Sequence, residues 1–325
     1  MRAPEFWDRP TPALAALLLA PLAWVYGRIV AARVARPPDW RAPVPVVCVG
    51  NVVAGGAGKT PVVLDVGQRL AARGLDVHFL TRGYGGRTRG PLRADPDRHE
   101  AAEVGDEPLL LARARPTWVA ADRAAGARAA VDAGAQILVM DDGFQNPSLH
   151  KDLSLLVIDG GYGIGNGRVI PAGPLREPLA AGLRRAGAVV MLGQDIAGLE
   201  SKLAGRSVLR AEVVPEDGQR LAGRSVLAFA GIARPRKFFA TLKSLGCRLA
   251  ETRGFPDHHP YREGEVDALL ARADELGAVA VTTAKDAMRL PPDHRPRIEV
   301  LEVGLRWHDE SALDAILAPL LAGGR

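Results

Sequence analysis

The sequence predicts an α/β fold: a doubly wound parallel sheet, a second and smaller α/β domain, and an N-terminal hydrophobic helix. Three observations predict it. From residue 44 to residue 192, short apolar β-branched runs alternate with helix-like segments, the signature of a parallel sheet. A glycine-rich loop joins the first of these strands to the first helix, where α/β proteins place their ligands. A polar interval near residue 215 then opens a second, shorter strand–helix series.

The N-terminal element rests on Thr11 to Gly27, 17 residues without a charge, followed by Arg28, Arg33, Arg36 and Arg41. A secretory signal needs a basic start, but Arg2, Glu5, Asp8 and Arg9 cancel. A spanning helix needs ~20 apolar residues, and Pro21 interrupts a run that is already short. Phe6, Trp7, Trp24 and Tyr26 supply the aromatic flanks of an interfacial helix. The expectation is an interfacial anchor over residues 1–35, with a buried core helix, a span and a signal peptide as the alternatives. The trailing arginines hold the remaining chain on the cytoplasmic side.

The strands read as Val44–Val49, Val77–Thr81, Trp118–Ala121, Gln136–Met140, Leu153–Asp159 and Ala188–Leu192. Between them Pro61–Arg73, Pro108–Ala114 and Arg123–Ala133 read as helices. These define a nucleotide-binding domain over residues 36–210. Val208–Val214 and Ser225–Ala230 flank PEDGQRLAGR, which reads as a hairpin or linker over residues 211–224. The smaller domain, residues 225–325, takes helices at Arg236–Leu245 and Gly264–Leu276 and strands at Ala278–Thr282 and Glu299–Val303.

Composition agrees with two globular domains. Of 325 residues 47% are hydrophobic and 24% charged, which excludes both a disordered chain and a multi-span membrane protein. Cys48 and Cys247 stand far apart with no CxxC, so neither a disulfide scaffold nor a cysteine zinc site is present, and the pattern fits a reducing compartment. The formal charge is +5. Residues 1–99 carry 14 basic and 7 acidic groups, so +7, and the remainder carries −2. The positive balance therefore surrounds the apolar segment and the glycine loop, as expected of an anchor beside anionic lipid and a mouth that handles phosphate.

The glycine loop runs from Gly50 to Thr60, GNVVAGGAGKT. Between a strand and a helix it has the form of a phosphate-binding P-loop, which makes the fold P-loop NTPase-type. Backbone N–H groups of Val53, Ala54, Gly55, Gly56, Ala57, Gly58, Lys59 and Thr60 would cradle phosphate. Lys59 would reach the β- and γ-phosphates, and the Thr60 hydroxyl would ligate Mg²⁺. The strict pattern has Gly at position 53; here Val53 stands there, and Gly55, Gly56 and Gly58 keep the tight path. Partition-type ATPases carry a lysine directly before the Gly-Gly pair, and Ala54 argues against that class.

A nucleotide site also needs an apolar strand that ends in an acid. Gln136–Met140 followed by Asp141 and Asp142 supplies it. One carboxylate would hold Mg²⁺, a hard cation that prefers oxygen. The second points to the other face of the strand end or into a turn.

In order along the chain, GNVVAGGAGKTP, LTRGYGGR, GDEPLLLA, DDGFQNPSLHKDLSLLVID, GNGRVIPAGPLREP, FAGIARPRKFF, FPDHHPY and TTAKDAMRL resemble the tetraacyldisaccharide 4'-kinases of lipid A synthesis. The resemblance extends from about residue 5 to residue 305, and DDGFQ with a downstream LRE is its most specific part. It implies ATP-dependent phosphorylation of the 4'-hydroxyl of a tetraacylated glucosamine disaccharide 1-phosphate, giving lipid IVA for lipopolysaccharide. It also implies Mg²⁺, a two-stranded linker between the domains, and residence on the cytoplasmic face of the bacterial inner membrane. No nucleic acid and no obligate protein partner are implied.

Residue by residue, the resemblance makes Lys59 and Thr60 the P-loop pair and Asp141 the Mg²⁺-associated acid, with Asp142 beside it. Asp106 of GDEP becomes the base, His258 of FPDHH its partner, and Arg176 of LRE a cation near the transferred phosphate. His258 and His259 are adjacent, so either could pair with Asp106. An Asp before Glu107-Pro108 also suits a helix N-cap, and a loop histidine also suits a backbone bond.

Two other classes are weighed. A GTPase switch carries an NKxD motif, and Thr283-Ala284-Lys285-Asp286 has the wrong spacing. A nucleic-acid ATPase calls for a basic aromatic patch, but the aromatics gather in the anchor.

Overall fold

A computed structural model describes residues 4–8 and 13–322. Thr11 and Pro12, which begin the expected anchor, and Arg2 and Arg9 of its flank lie outside the described residues.

The strands are β1 Val46–Gly50, β2 Val77–Thr81, β3 Leu92–Ala94, β4 Thr117–Val119, β5 Ile137–Asp141, β6 Leu153–Asp159, β7 Ala188–Leu192, β8 Val208–Pro215, β9 Ser225–Ala230, β10 Arg248–Gly254, β11 Val279–Thr283, β12 Glu299–Leu301 and β13 Val303–Trp307. The helices are α1 Leu14–Leu18, α2 Ala20–Val34, α3 Lys59–Ala71, α4 Ala101–Val104, α5 Asp106–Ala112, α6 Arg123–Asp132, α7 Leu179–Arg185, α8 Pro235–Ser244, α9 Glu263–Glu275, α10 Ala284–Ala287 and α11 Glu310–Ala322.

Nine strands form one sheet in the order β13-β8-β7-β6-β1-β5-β2-β4-β3, and four form a second, β10-β9-β11-β12. The large sheet is parallel except at its edges, where β3 runs against β4 and β13 against β8. The small sheet is parallel throughout. Period-two alternation explains the apolar run of β1. Val46 and Cys48 face one layer with Leu138, Met140 and Leu156, while Val47 and Val49 face the other with Val62, Val66 and Leu70 of α3. A third core joins the sheets: Val104, Leu109 and Val119 pack with Leu227, Phe229 and Tyr261.

Three expectations change. First, the strands flanking PEDGQRLAGR do not pair with each other, so residues 211–224 form no hairpin. β8 belongs to the large sheet and β9 to the small one, and β8 instead takes β13 as its antiparallel partner, with Pro215 opposite Val303. Second, residues 303–322 return from the small sheet to the large one. Trp307 Nε1 donates to Asp65 of α3 at 2.8 Å, and Leu313 and Leu317 are fully buried beside Val62 and Val66. Third, the apolar N-terminal segment is two helices. Pro21 lies in the first turn of α2, where its missing N–H costs nothing, and the chain breaks at Leu19. Leu14, Leu18, Leu22, Trp24 and Ile29 are exposed along them. No helix among the described residues is long and apolar enough to cross a membrane.

The segment before these helices is docked. Trp7 Nε1 donates to the Pro171 carbonyl at 3.1 Å, and the Asn166 N–H donates to the Trp7 carbonyl at 2.7 Å. The apolar N-terminus therefore borders the loop that carries GNGR and PAGPLREP.

Candidate active site

The glycine loop leaves β1 and enters α3 through Gly58, whose φ of +78° is left-handed. Its first half leans on the LREP segment. The Ala54 N–H donates to the Pro174 carbonyl at 2.8 Å, the Arg176 N–H to the Val52 carbonyl at 2.7 Å, and Val53 bridges Leu175. The Ala54 N–H is thus already bonded within the protein, a correction to the expectation that it cradles phosphate, and Val53 beside it is buried. Gly55 and Gly56 are exposed, and Lys59 and Thr60 open α3.

This pairing carries Arg176 to the acidic strand end. Arg176 Nη1 donates to Asp142 Oδ1 at 2.7 Å, and Lys59 Nζ lies 3.5 Å from the same oxygen. Asp142 occupies a left-handed turn, φ +52°, with its N–H on the Val49 carbonyl. Burial would raise its carboxyl, but Lys59 and Arg176 outweigh it and hold the group down at about 2.

Asp141, one residue earlier, behaves oppositely. It ends β5 opposite Val49, just before the glycine loop, and is 1% exposed. Neither carboxylate oxygen has a hydrogen-bond partner among the described residues. Burial, then the charge of Glu107, push it up to about 7 against the pull of Lys59. A buried carboxylate with two unsatisfied oxygens beside a phosphate loop fits a divalent cation. No group of three or more His, Cys, Asp or Glu gathers among the described residues to cage an ion, so phosphate and water would complete the shell.

Gln145 Nε2 bonds both the Asn51 carbonyl and Glu177 Oε1, each at 2.9 Å, and Arg185 caps Glu177 at 2.6 Å. Thus DDGFQ and LREP are tied together through the root of the glycine loop. Buried Arg123 sits nearby; burial, then the like charge of Arg82, lower its guanidinium to about 10.

The second cluster spans the two sheets. Asp106 opens α5 and is 2% exposed. Its oxygens lie 3.0 and 3.1 Å from His258 Nδ1, on the loop after β10. Gly105, not Asp106, holds the cap position of α5; Asp106 Oδ1 accepts the Glu107 N–H at 2.8 Å besides facing His258. Close approach explains Gly83 and Gly86 of RGYGGR. A Cβ at Gly86 would fall 2.6 Å from the Glu103 carbonyl, and Gly105 holds φ +96° against Tyr84. The loop is thereby pressed against the start of α5, and the Tyr84 ring lies 5.1 Å from that of His258.

His259 does not compete for Asp106. Its Nε2 pairs with Glu265 at 2.6 Å, and its ring stacks on Phe255 at 4.7 Å. His258 has a left-handed backbone, φ +57°, with its N–H on the Gly231 carbonyl at 3.0 Å.

Burial would raise the Asp106 carboxyl. The His258 bond and the charges of Lys285 and Arg289 outweigh it and hold it below the usual carboxylate range. Lys285 pairs with Glu107 at 3.1 Å, and Arg289 Nε lies 3.0 Å from Asp106 Oδ2. Neither cation stood out from the sequence as a site residue. TTAKDAMRL was visible as a motif, but nothing local says that it folds back onto GDEP.

A family model described as Tetraacyldisaccharide-1-P 4'-kinase matches residues 15–322. A tetraacyldisaccharide 4'-kinase of Rhodospirillum centenum is 58% identical over 331 residues, covering 99% of this chain and 98% of the relative. Another, from Gluconacetobacter diazotrophicus, is 57% identical over 319 residues and covers 98% and 97%. Among solved structures, the "apo" form of LpxK from Aquifex aeolicus in complex with ATP superposes with a TM-score of 0.77. It is 28% identical and covers 94% of this chain and 99% of that one.

Proposed function

The chain belongs to the tetraacyldisaccharide-1-P 4'-kinase family, and from that premise we propose how its site performs the transfer. It is a kinase that uses ATP to phosphorylate the 4' position of the lipid A disaccharide precursor.

In the proposed assignment, Gly55–Thr60 wrap the nucleotide phosphates and Lys59 neutralises the transferring group. Arg176 stands beside Lys59 to share that charge. Phosphoryl transfer demands positioning and electrostatics more than covalent chemistry, and these cations supply both. Mg²⁺ would be held by Asp141 and the Thr60 hydroxyl; when bound, it supplies charge neutralisation on the phosphate oxygens. The proton of the sugar hydroxyl passes to Asp106, with His258 sharing it. An ordinary Asp is a weak base, so a hydrogen-bonded imidazole eases the step.

The observation that carries this reading is the Asp106–His258 pair, in which a carboxylate at the start of α5 meets an imidazole from the loop after β10 at 3.0 Å. The apolar side chains exposed on α1 and α2 support an interfacial seat on the cytoplasmic face of the inner membrane. That seat puts the acylated substrate beside the Trp7-docked loop.

The test follows labelled γ-phosphate from ATP to the 4'-hydroxyl of a tetraacylated disaccharide 1-phosphate in mixed micelles. Transfer by the native chain and its loss in Asp106→Ala, with nucleotide binding retained, is the expected result. Near-normal turnover in that variant removes Asp106 from the chemistry.

A further inference from the structure

Asp286 is completely buried, and four donors converge on it. Oδ1 accepts the Gly231 N–H at 2.8 Å, the Tyr261 hydroxyl at 2.9 Å and Arg289 Nη2 at 2.6 Å, while Oδ2 accepts the Thr283 hydroxyl at 2.5 Å. It thereby knots the loops that follow β9, β10 and β11. Of these donors, Arg289 also carries a charged contact onward to Asp106 at the start of α5. Nη1 and Nη2 also bond the carbonyls of His259 and Gly231, at 2.8 and 2.9 Å, and Nε faces Asp106 Oδ2 at 3.0 Å.

We propose that Arg289 is a positioning residue for the transfer: clamped by Asp286, its guanidinium fixes the ionised carboxylate of Asp106 against His258 Nδ1. The proposal rests on the reading of Asp106 as proton acceptor. Arg289 has no route to substrate of its own, since it is almost wholly buried: its Nη donors are spent on Asp286 and the carbonyls of Gly231 and His259, and Nε, which makes no hydrogen bond, stands against Asp106 as an ion pair at 3.0 Å. Only a planar fork can face a carbonyl pair and two carboxylates at once; an ammonium on the same stem cannot. The charged and titratable groups around Asp106 are His258, Arg289, Lys285 and Glu107, with Asp257 lying 3.8 Å beyond His258 Nε2. Arg289 and Lys285 are the two permanent cations of this set, and only Arg289 contacts the carboxylate directly. Removing its charge leaves Asp106 easier to protonate and free to turn from His258.

The experiment uses the full chain with [4-¹³C]aspartate, the Asp106 resonance being assigned by its loss in Asp106→Asn. Arg289→Gln is expected to lower kcat by about tenfold to a hundredfold. The KM for ATP stays within about twofold, because the nucleotide loop is untouched. The Asp106 titration midpoint and the acidic limb of kcat both move to higher pH. Arg289→Lys returns the midpoint toward the native value while kcat stays depressed by about tenfold, charge restored without the fork. An unchanged Asp106 midpoint in Arg289→Gln overturns the proposal even where activity falls, since that fall would then be structural. If Arg289→Gln does not fold, Arg289→Lys decides: native kcat overturns the proposal. Asp106→Asn separates the two ideas. Normal turnover there sinks the acceptor reading, and Arg289's part in transfer with it. Lost turnover there with an unmoved midpoint in Arg289→Gln sinks Arg289 alone.

Discussion

His258 Nδ1 lies 3.0 Å from Asp106 Oδ2, although 152 residues separate them: Asp106 opens α5, and His258 lies on the loop that follows β10 of the small sheet. His259, its immediate neighbour, turns instead to Glu265 and Phe255. The two histidines therefore differ sharply in consequence. His258→Ala is expected to lower kcat by about 10²-fold or more, the scale of a lost general acid–base partner. His259→Ala is expected to keep turnover and cost about 1 kcal/mol of stability through the lost stack and ion pair. Steady-state kinetics beside thermal melting separates them. Equal catalytic losses would refute the assignment of His258.

Asp142 already occupies the two cations that the transferred phosphate needs. Asp142→Asn releases Lys59 and Arg176 from a carboxylate held down at about 2, so ATP is expected to bind more tightly, by about tenfold, while kcat falls. Arg176→Ala is expected to lower kcat with a smaller effect on nucleotide affinity. Calorimetric titration with ATP gives the sign; weaker binding in Asp142→Asn contradicts the competition.

Acid stability follows from Asp106. The His258 bond and the charges of Lys285 and Arg289 hold its folded carboxyl below the ordinary aspartate range, so its ionised form favours the native state. That contribution is complete above the unfolded value and is lost as pH falls through the folded one. The melting-temperature gap between the native chain and Asp106→Asn is therefore expected to be widest near neutrality and to close progressively below pH ~4. A gap that widens on acidification would reverse the sign.

Leu18 and Leu22 are 71% and 59% exposed on the N-terminal helices. Burying each in an interface is worth about 1.5–3 kcal/mol. Leu18→Glu combined with Leu22→Glu is expected to abolish cosedimentation with anionic vesicles and leave soluble ATP binding intact. Persistent vesicle binding would place the membrane contact elsewhere.

What the sequence makes legible is local. β2, β6, β7 and β9 match their expected bounds because each is a run of five or more consecutive buried residues, which carries its signal in nearly every position. β10 gives no strand signal because five of its seven positions are exposed and Leu249 and Ala250 are its only aliphatic residues. α11 lies beyond the last element read from the sequence, and its role shows only when Leu313 and Leu317 are seen against α3. In the site, the glycine loop and Asp141-Asp142 could be read because one strand and its turn supply each. The His258-or-His259 ambiguity and the roles of Lys285 and Arg289 could not. Those depend on which loops of the small sheet meet α5, and no periodicity records that.

The pairing of β8 with β13 also has a consequence for how the molecule is made. Until residues 303–307 leave the ribosome, β8 is an unprotected sheet edge, and the apolar flank of α3 lacks its cover from Leu313 and Leu317. The whole of the small sheet must be synthesised first. The nascent chain thus carries this open edge from the completion of β8 at residue 215 until β13 follows at 303–307, and α11 then covers α3. A chain truncated after residue 302 should retain most of its parallel strands yet precipitate, whereas supplying residues 303–322 in trans as a peptide should restore solubility.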